Sequence, residues 1–233
     1  GQSQEEVREK LLKARLDLQQ GLPLSSSRQT LGAFLQSWLE DHKRPSLTPR
    51  TYAGYEAIMR KHLLPELGRL PLAKLTPQHI DSYLNKKRRE RLSEKYLQQH
   101  FAILRHALNQ AVKWEYIGRS PAALVTSPKP RRHKIRPLAG EEIEQFLAAA
   151  KESRLEVLYI MALCTGLRRG EILGLRWRDI DFQEGIISPT FQLQRVTGKG
   201  ILKLDLKTEE SRRPLAMPAF VAAALKRRRV QEK

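Results

Sequence analysis

Arg168 and Glu171 are the residues whose types and spacing best suit chemistry. They stand three positions apart, where Thr165 and Gly166 are expected to end one apolar helix before a second begins. An arginine this close to two apolar helices needs a carboxylate or phosphate partner, because an unpaired buried guanidinium costs too much free energy. Glu171, one helical turn away, can supply the carboxylate and leave the rest of the guanidinium fork free. Arg168 can equally be a structural arginine that caps a helix and pairs with Glu171.

A lysine provides the second group that could take part in catalysis. Lys207 follows a run of predicted strands and begins a turn that reaches Ser211. An ammonium on a turn is a workable general acid, although by itself Lys207 would be an ordinary turn lysine. Lys203, two positions before Asp205, is the competing candidate.

The charge of the chain indicates which partner these groups would meet. With 43 Lys and Arg against 25 Asp and Glu, the net charge is +18. A surface field of that sign attracts polyanions, of which nucleic acid is the commonest. We predict phosphate contacts from two basic clusters and two further arginines: Lys86, Lys87, Arg88, Arg131, Arg132, Lys134, Arg169 and Arg212. For the first cluster, a solvated helix end stabilised by the helix dipole is the alternative.

Composition excludes several other classes of protein. Cys164 is the only cysteine, which removes intrachain disulfides and multi-cysteine metal sites and favours a reducing, cytoplasmic setting. The six histidines show no metal-ligand spacing, so we predict no metal site. The longest apolar run, residues 157–164, is far shorter than the roughly 18 residues of a membrane span, and we expect no membrane partner.

The elements that must position these groups begin with a helical part. Serine or threonine N-caps followed by apolar stripes predict four helices, which start near Thr30, Thr48, Thr76 and Ser93. The second of them is expected to end at Pro65. Together they predict a compact all-helical domain over residues 30–124. A thin apolar stripe over residues 4–20 predicts a helical connection within residues 1–29.

The second part of the chain has a different hydrophobic period. Residues 125–136 form a basic, proline-containing linker, which suits an extended strap along phosphates. Residues 137–233 then carry predicted helices over 140–150, 155–164 and 218–229, of which the second is apolar all round and therefore expected to be buried. Between the last two helices, short strands are predicted over 185–187, 191–196, 201–206 and 213–217.

Residues 165–181 resemble the tyrosine recombinase, or phage integrase, family at nearly every position. The catalytic domain of that family opens with Thr-Gly-Leu-Arg-x-Ser/Gly-Glu-Ile/Leu-x-x-Leu-x-Trp-x-Asp-Ile-Asp. Residues 206–215 are similar to its Lys-Thr-x-x-Ser-x-Arg hairpin turn, and residues 30–121 to its core-binding domain. The resemblance implies a mainly α fold with a small antiparallel β-sheet, in which a helical, SAM-like core-binding domain precedes the α+β first part of a catalytic domain.

The resemblance assigns catalytic roles to three residues. Arg168 would donate to the nonbridging oxygens of a scissile phosphate, Glu171 would orient the site, and Lys207 would protonate the departing 5′ oxygen. Phosphoryl transfer concentrates charge on the equatorial oxygens, which a planar fork stabilises without a metal. The resemblance further implies a site-specific recombinase of a phage or mobile element. Such an enzyme cleaves and rejoins double-stranded DNA at core sites through a 3′-phosphotyrosine, as a homotetramer without a cofactor.

The chain departs from the family pattern after the hairpin. The family carries a His/Lys-x-x-Arg pair, a further His or Trp and a tyrosine nucleophile there, whereas every histidine and tyrosine of this chain precedes Arg168. We therefore expect a chain truncated within the catalytic domain, which binds DNA and does not cleave it. The alternatives are a non-enzymatic DNA-binding fragment that interferes with an active integrase, and a helical transcriptional regulator in which Arg168 is structural.

Overall fold

The chain folds into two compact units, residues 1–133 and 134–233. The computed structural model describes residues 4, 7, 8, 11, 12, 29–131, 134–151 and 153–231, with Glu209 described by its backbone alone. Most of the predicted helix over residues 4–20 falls outside the described residues, and its five described positions are helical. None of the described helices is both long and apolar enough to cross a membrane.

Capped helices build the N-terminal unit. Thr30 Oγ1 accepts a hydrogen bond from the N–H of Ala33 at 3.2 Å, and Thr48, Thr76 and Ser93 cap the next helices in the same way. The four predicted helix starts are therefore confirmed. The helices are α1 (Leu31–Ser37), α2 (Pro49–Ile58), α3 (Leu64–Leu67), α4 (Pro77–Arg89) and α5 (Glu94–Lys113), with 3₁₀ turns at Arg44–Ser46, Leu72–Lys74 and Pro121–Leu124.

Two π-helical turns, Trp38–Lys43 and Met59–Leu63, each end two residues before a proline. In these turns the backbone hydrogen bonds span five residues instead of four, which widens the helix ahead of Pro45 and Pro65. A proline lacks an N–H and crowds the preceding turn, so the wider turn accommodates its ring. The second helical stretch therefore continues through Pro65 into α3, and the prediction that it ends at Pro65 is wrong.

A small polar cluster lies inside the apolar core of the N-terminal unit. His100 on α5 is 0% exposed, and its Nδ1 lies 2.7 Å from the hydroxyl of Tyr83 on α4. The rings of His62 and Tyr96 pack against His100, with centroids 4.7 and 4.4 Å away. Burial lowers the pKa of His100 to about 4, and the charges of His62 and Lys87 act in the same direction. In the folded chain His100 is therefore neutral near pH 7.

Helices pack around two small antiparallel sheets in the C-terminal unit. One sheet has three strands in the order β1 (Ile180–Asp181), β2 (Ile186–Ile187) and β5 (Leu215–Ala216), and the other is the hairpin of β3 (Gln192–Val196) and β4 (Gly200–Leu204). Each predicted strand overlaps an observed one, and strand β1 was not predicted. The elements are α6 (Gly140–Ala150), α7 (Glu156–Thr165), α8 (Arg169–Gly174), a 3₁₀ turn (Trp177–Asp179), β1 (Ile180–Asp181), β2 (Ile186–Ile187), β3 (Gln192–Val196), β4 (Gly200–Leu204), a 3₁₀ turn (Glu209–Arg212), β5 (Leu215–Ala216) and α9 (Ala219–Gln231).

Helix α7 is less buried than its composition predicts. Ile160, Met161 and Thr165 are buried, but Leu163 is 37% exposed. The helix packs on α6, α8 and α9, which cover one side of it. Ala162 and Leu163 are both exposed, so the expectation of a helix buried all round is wrong.

Candidate active site

A tight turn sets the position of Arg168. Helix α7 ends at Thr165, and Gly166 follows in the left-handed conformation with φ of 64°. The Thr165 hydroxyl donates to the carbonyl of Met161 at 2.6 Å and accepts from the N–H of Leu167 at 3.3 Å. Glycine adopts a positive φ without the steric cost that a Cβ brings. The chain thus reverses within two residues and delivers Arg168 to the N-cap of α8.

Arg168 and Glu171 form the predicted ion pair. Glu171 Oε1 accepts from Arg168 Nη1 at 2.9 Å, and its Oε2 accepts from the backbone N–H of Arg168 at 2.9 Å. The Glu171 side chain is 4% exposed, whereas that of Arg168 is 58% exposed. Glu171 therefore caps the start of α8 and holds the arginine with the same carboxylate.

Ser211 supplies a second anchor for the guanidinium. Its Oγ accepts from Arg168 Nη1 at 2.6 Å, across 43 positions of sequence. Both contacts of the side chain thus fall on Nη1, and no described residue accepts from Nε or Nη2 of Arg168. Two parallel N–H donors on one edge of the guanidinium remain available to a ligand. That edge matches the spacing of two oxygens of a phosphate or carboxylate.

Arg176, like Arg168, has a carboxylate three positions later, but the two guanidinium groups are bound differently. Asp179 lies three positions after Arg176 and accepts from its Nε at 3.0 Å and its Nη2 at 2.9 Å. These hydrogen bonds from Arg176 hold the pKa of Asp179 below its ordinary value. Arg176 Nη2 also donates to Thr190 Oγ1 at 2.6 Å. The Nε–Nη2 edge of Arg176 is therefore filled by protein, whereas the same edge of Arg168 is open.

Glycines let helix α8 lie directly on strand β3. A Cβ at Gly174 would come within 2.8 Å of the carbonyl oxygen of Phe191, and one at Gly170 within 3.0 Å of that of Leu193. Both distances are shorter than ordinary van der Waals contact. The close approach fixes α8, and with it Arg168, against the hairpin β3–β4.

Lys207 lies beyond the hairpin, three residues after the end of β4. The buried Leu206 anchors this segment, while Lys207 is exposed and makes no hydrogen bond or ion pair to a described residue. The competing Lys203 packs its ammonium 4.4 Å from the ring centre of Phe191, which Arg176 also covers at 4.7 Å. Of the two lysines, Lys207 is the one whose ammonium is free to move.

The basic run at the end of α4 differs from the expected phosphate-contacting cluster. Lys86 and Lys87 both donate to Glu66, at 2.7 and 3.1 Å, and Lys87 also donates to Glu90 at 2.8 Å. Lys87 is 5% exposed. Arg88 pairs with Glu94 at 2.7 Å. Packing argues against the predicted phosphate contact by Lys87, because its ammonium is buried between two carboxylates.

The other predicted phosphate contacts lie on exposed positions. Arg131 and Lys134 are exposed and lie in neither a helix nor a strand, and Arg132 between them lies outside the described residues. Arg169 is exposed at the first position of α8, and Arg212 is exposed at the end of a 3₁₀ turn. The contacts of these residues with phosphate stay predictions.

Sequence reasoning assigned Arg168, Glu171 and Lys207 and left out Ser211. The signal was present in the segment 206–215, where Ser211 follows Lys207 by four positions. A serine in a polar turn is ordinary, however, and only tertiary structure shows that it is 5% exposed and bound to Arg168.

Comparison with known proteins decides the family. The model of the phage integrase N-terminal SAM-like domain matches residues 30–88, and that of the phage integrase family matches residues 136–227. Together they cover more than half of the chain, on both sides of the boundary between the units. The chain belongs to the phage integrase family.

Curated relatives of this integrase-family chain are longer than the chain itself. A tyrosine recombinase XerC-like protein of Caldanaerobacter subterraneus subsp. tengcongensis is 29% identical over 231 residues, which cover 93% of this chain and 59% of that protein. An integrase of Saccharopolyspora erythraea is 30% identical over 172 residues, which cover 73% of this chain and 39% of that protein. The chain thus spans about half the length of the curated relatives it matches.

Solved structures of integrases share the fold. The Tn1549 transposon integrase in complex with a circular intermediate DNA superposes with a TM-score of 0.76 at 23% identity, over 85% of this chain and 64% of that one. A lambda integrase dimer bound to a COC′ core site gives a TM-score of 0.60 at 19% identity, over 86% of this chain and 56% of that one. The predicted fold class, a SAM-like helical domain before an α+β catalytic part, is confirmed.

Proposed function

We propose that this chain acts in site-specific DNA recombination, binding core-site DNA and holding a scissile phosphate for transfer to a tyrosine. The observation that carries the proposal is the open Nε–Nη2 edge of Arg168, on a guanidinium already held by Glu171 and Ser211. Two parallel donors match two nonbridging oxygens of a phosphodiester. Donors that are fixed before the reaction stabilise the charge that develops on the transferring phosphoryl group.

Lys207 supplies the proton in this proposal. The phenolate oxygen of a tyrosine attacks the phosphorus, the bond from phosphorus to the 5′ oxygen breaks, and the 5′ oxygen takes a proton from the ammonium of Lys207, which leaves a neutral lysine amine and a phosphotyrosine diester. The exposed position of Lys207 leaves its ammonium free to reach a bound backbone. The six tyrosines of the chain all precede Arg168, and we propose that this polypeptide by itself binds DNA without cleaving it.

Charge and family support double-stranded DNA as the partner. The net charge of +18 favours a polyanion at physiological salt. The Tn1549 integrase was solved with circular intermediate DNA, and the lambda integrase as a dimer on a core site. We extend these partners to the present chain, with assembly into a homotetramer on core sites in the bacterial cytoplasm as part of the same proposal.

Selection from a randomised duplex tests binding and cleavage together. The chain is incubated with nicked suicide duplexes whose central base pairs are randomised, and retained duplexes are amplified and sequenced over several rounds. We expect enrichment of one core sequence and no covalent protein–DNA band on a denaturing gel. A covalent band would overturn binding without cleavage, and failure to retain any duplex at low salt would overturn DNA as the partner.

A matched pair of arginine variants identifies the phosphate that Arg168 contacts. Arg168→Ala removes the open edge, whereas Arg60→Ala removes an exposed arginine that is paired with Glu56 on α2. On the enriched duplex, a methylphosphonate scan replaces one phosphate charge at a time. We expect the wild type and Arg60→Ala to lose affinity at one phosphate to which Arg168→Ala is indifferent. The same scan profile in all three proteins would remove Arg168 from the DNA interface.

A further inference from the structure

We propose that Ser211 is a positioning residue, which aims the open edge of Arg168 and ties it to the segment that carries Lys207. This inference rests on the proposed function, because it concerns the same phosphate site. The three residues come from the start of α8 and from the connection between β4 and β5. Ser211 is where the two segments meet through side chains.

The hydroxyl of Ser211 is engaged on both sides. A guanidinium can only donate, so Ser211 Oγ is the acceptor of the 2.6 Å bond from Arg168 Nη1. The same oxygen lies 3.1 Å from Thr208 Oγ1, and the backbone N–H of Ser211 donates to the carbonyl of Thr208 at 3.1 Å. Ser211 is 5% exposed. These partners hold the buried oxygen of Ser211 in place.

Glu171 alone would hold Arg168 by one side-chain hydrogen bond from the same helix. The Arg168 side chain is 58% exposed, so a single bond leaves its long chain free to sample other rotamers. Ser211 adds a second acceptor on Nη1 from a distant segment, and two acceptors on one nitrogen fix the plane of the guanidinium. The direction of the Nε–Nη2 edge therefore depends on Ser211.

The same contact fixes the backbone that carries Lys207 relative to Arg168. Lys207 immediately precedes Thr208, and the 3₁₀ turn Glu209–Arg212 closes the segment by a backbone bond from Ser211 to Thr208. The backbone at Lys207 is thus tied to Arg168 through three hydrogen bonds. In the proposed reaction both cations serve one phosphate, so a Lys207 backbone that is fixed relative to Arg168 keeps the mobile ammonium within reach of the phosphate that Arg168 holds.

Arginine side-chain NMR measures the effect of Ser211 on the Arg168 guanidinium. The Arg168 Nε–H signal is assigned by its loss in Arg168→Ala and followed while inorganic phosphate is titrated. We expect Ser211→Ala and Ser211→Cys to speed hydrogen exchange at Nη1 and to weaken the apparent Kd for phosphate at least threefold. Ser211→Thr keeps a hydroxyl and should stay within twofold of the wild type.

A control and a thermal scan separate positioning from simple stability. Ser188→Ala removes a half-buried hydroxyl in the same unit and keeps the backbone bond from Ser188 to Asp179, at 2.8 Å, intact. If Ser211→Ala lowers Tm but leaves Nη1 exchange and the phosphate titration unchanged, Ser211 is only structural and the inference is overturned. If phosphate fails to shift Arg168 in the wild type, the proposed function fails, while Nη1 exchange still reports on Ser211.

Discussion

Lys87 Nζ lies 3.1 Å from Glu66 Oε1, although the two residues are 21 positions apart. Lys87 belongs to α4, whereas Glu66 belongs to the short helix α3, and the pair joins the two elements. Burial disfavours the charged ammonium, but the hydrogen bonds that it donates to Glu90 and Glu66 outweigh burial and raise the pKa of Lys87. Lys87 is therefore a charged residue that joins α3 to α4, whereas the other basic residues at the end of α4 are more exposed.

Lys87→Met should destabilise the N-terminal unit and leave DNA binding unchanged. Removing the ammonium leaves Glu90 without this partner and Glu66 with Lys86 alone, which we expect to cost about 1–3 kcal/mol in urea unfolding. Lys86→Met is the matched control, because its side chain is 51% exposed and should cost under about 0.5 kcal/mol. A stable Lys87→Met protein with weakened DNA affinity would return this lysine to the phosphate interface.

The basic segment between the units should govern the salt dependence of DNA binding. Replacing Arg131, Arg132 and Lys134 with alanine should make the slope of log K against log salt shallower by up to about 2.7, since each phosphate contact contributes about 0.9. Fluorescence anisotropy with a labelled duplex between 50 and 300 mM salt, roughly the range over which such contacts are lost, measures it. Arg60→Ala is the control, and an unchanged slope in the triple variant places the segment away from DNA.

Acid should weaken the N-terminal unit through His100. Its pKa is about 4 in the folded chain against 6.5 for an unperturbed histidine. Above pH 6.5 both states are neutral and stability is complete; as pH falls from 6.5 towards 4, the unfolded chain takes up a proton that the folded chain refuses. The free energy of unfolding should then drop by up to about 3 kcal/mol. His62, whose pKa burial also lowers, acts in the same direction.

Urea midpoints measured by fluorescence at several pH values check this dependence. His100→Asn keeps a polar group near Tyr83 but cannot titrate, so its stability should vary less between pH 6.5 and 4 than that of the wild type. His106→Asn on the exposed side of the same helix is the control. Equal pH profiles for the wild type and His100→Asn would assign the acid sensitivity to other groups.

A methyl group at Gly174 should disturb the packing of α8 on β3, which positions Arg168. The Cβ would meet the carbonyl oxygen of Phe191 at 2.8 Å, so Gly174→Ala forces α8 away from β3 at a cost of about 1–3 kcal/mol. Gly54→Ala provides the contrast, because nothing lies within 4 Å of its Cβ in the exposed interior of α2. That change should stabilise the chain by up to about 1 kcal/mol. Opposite shifts in Tm are expected, and a neutral Gly174→Ala would contradict the close packing.

The sequence predicted what short-range chemistry determines. Thr30 and Ser93 cap helix starts by accepting hydrogen bonds from the backbone three positions later, and Glu171 lies within one turn of Arg168. These contacts are local, so spacing alone reveals them. Whether the Nε–Nη2 edge of an arginine is open or filled cannot be predicted in this way. Arg168 and Arg176 both have a carboxylate three positions later, and only the fold distinguishes their edges.

Long-range partners and exposure escaped prediction for the same physical reason. The bond from Arg168 to Ser211 and the pair of Lys87 with Glu66 join segments 43 and 21 positions apart. Composition also misled for α7, since an apolar helix looks buried whether or not a neighbour covers each of its sides. Such features depend on which elements pack together, and that information is not contained in a single window of sequence.

The double task of Glu171 has an evolutionary consequence. Its carboxylate caps α8 and holds Arg168, so selection for a folded protein preserves it even in a lineage that has stopped recombining DNA. Lys207 makes no bond to a described residue and can be lost by drift without harm to the fold. Under the proposed function, an intact glutamate among the descendants of such a chain indicates folding, whereas an intact lysine indicates continued use of the chemistry.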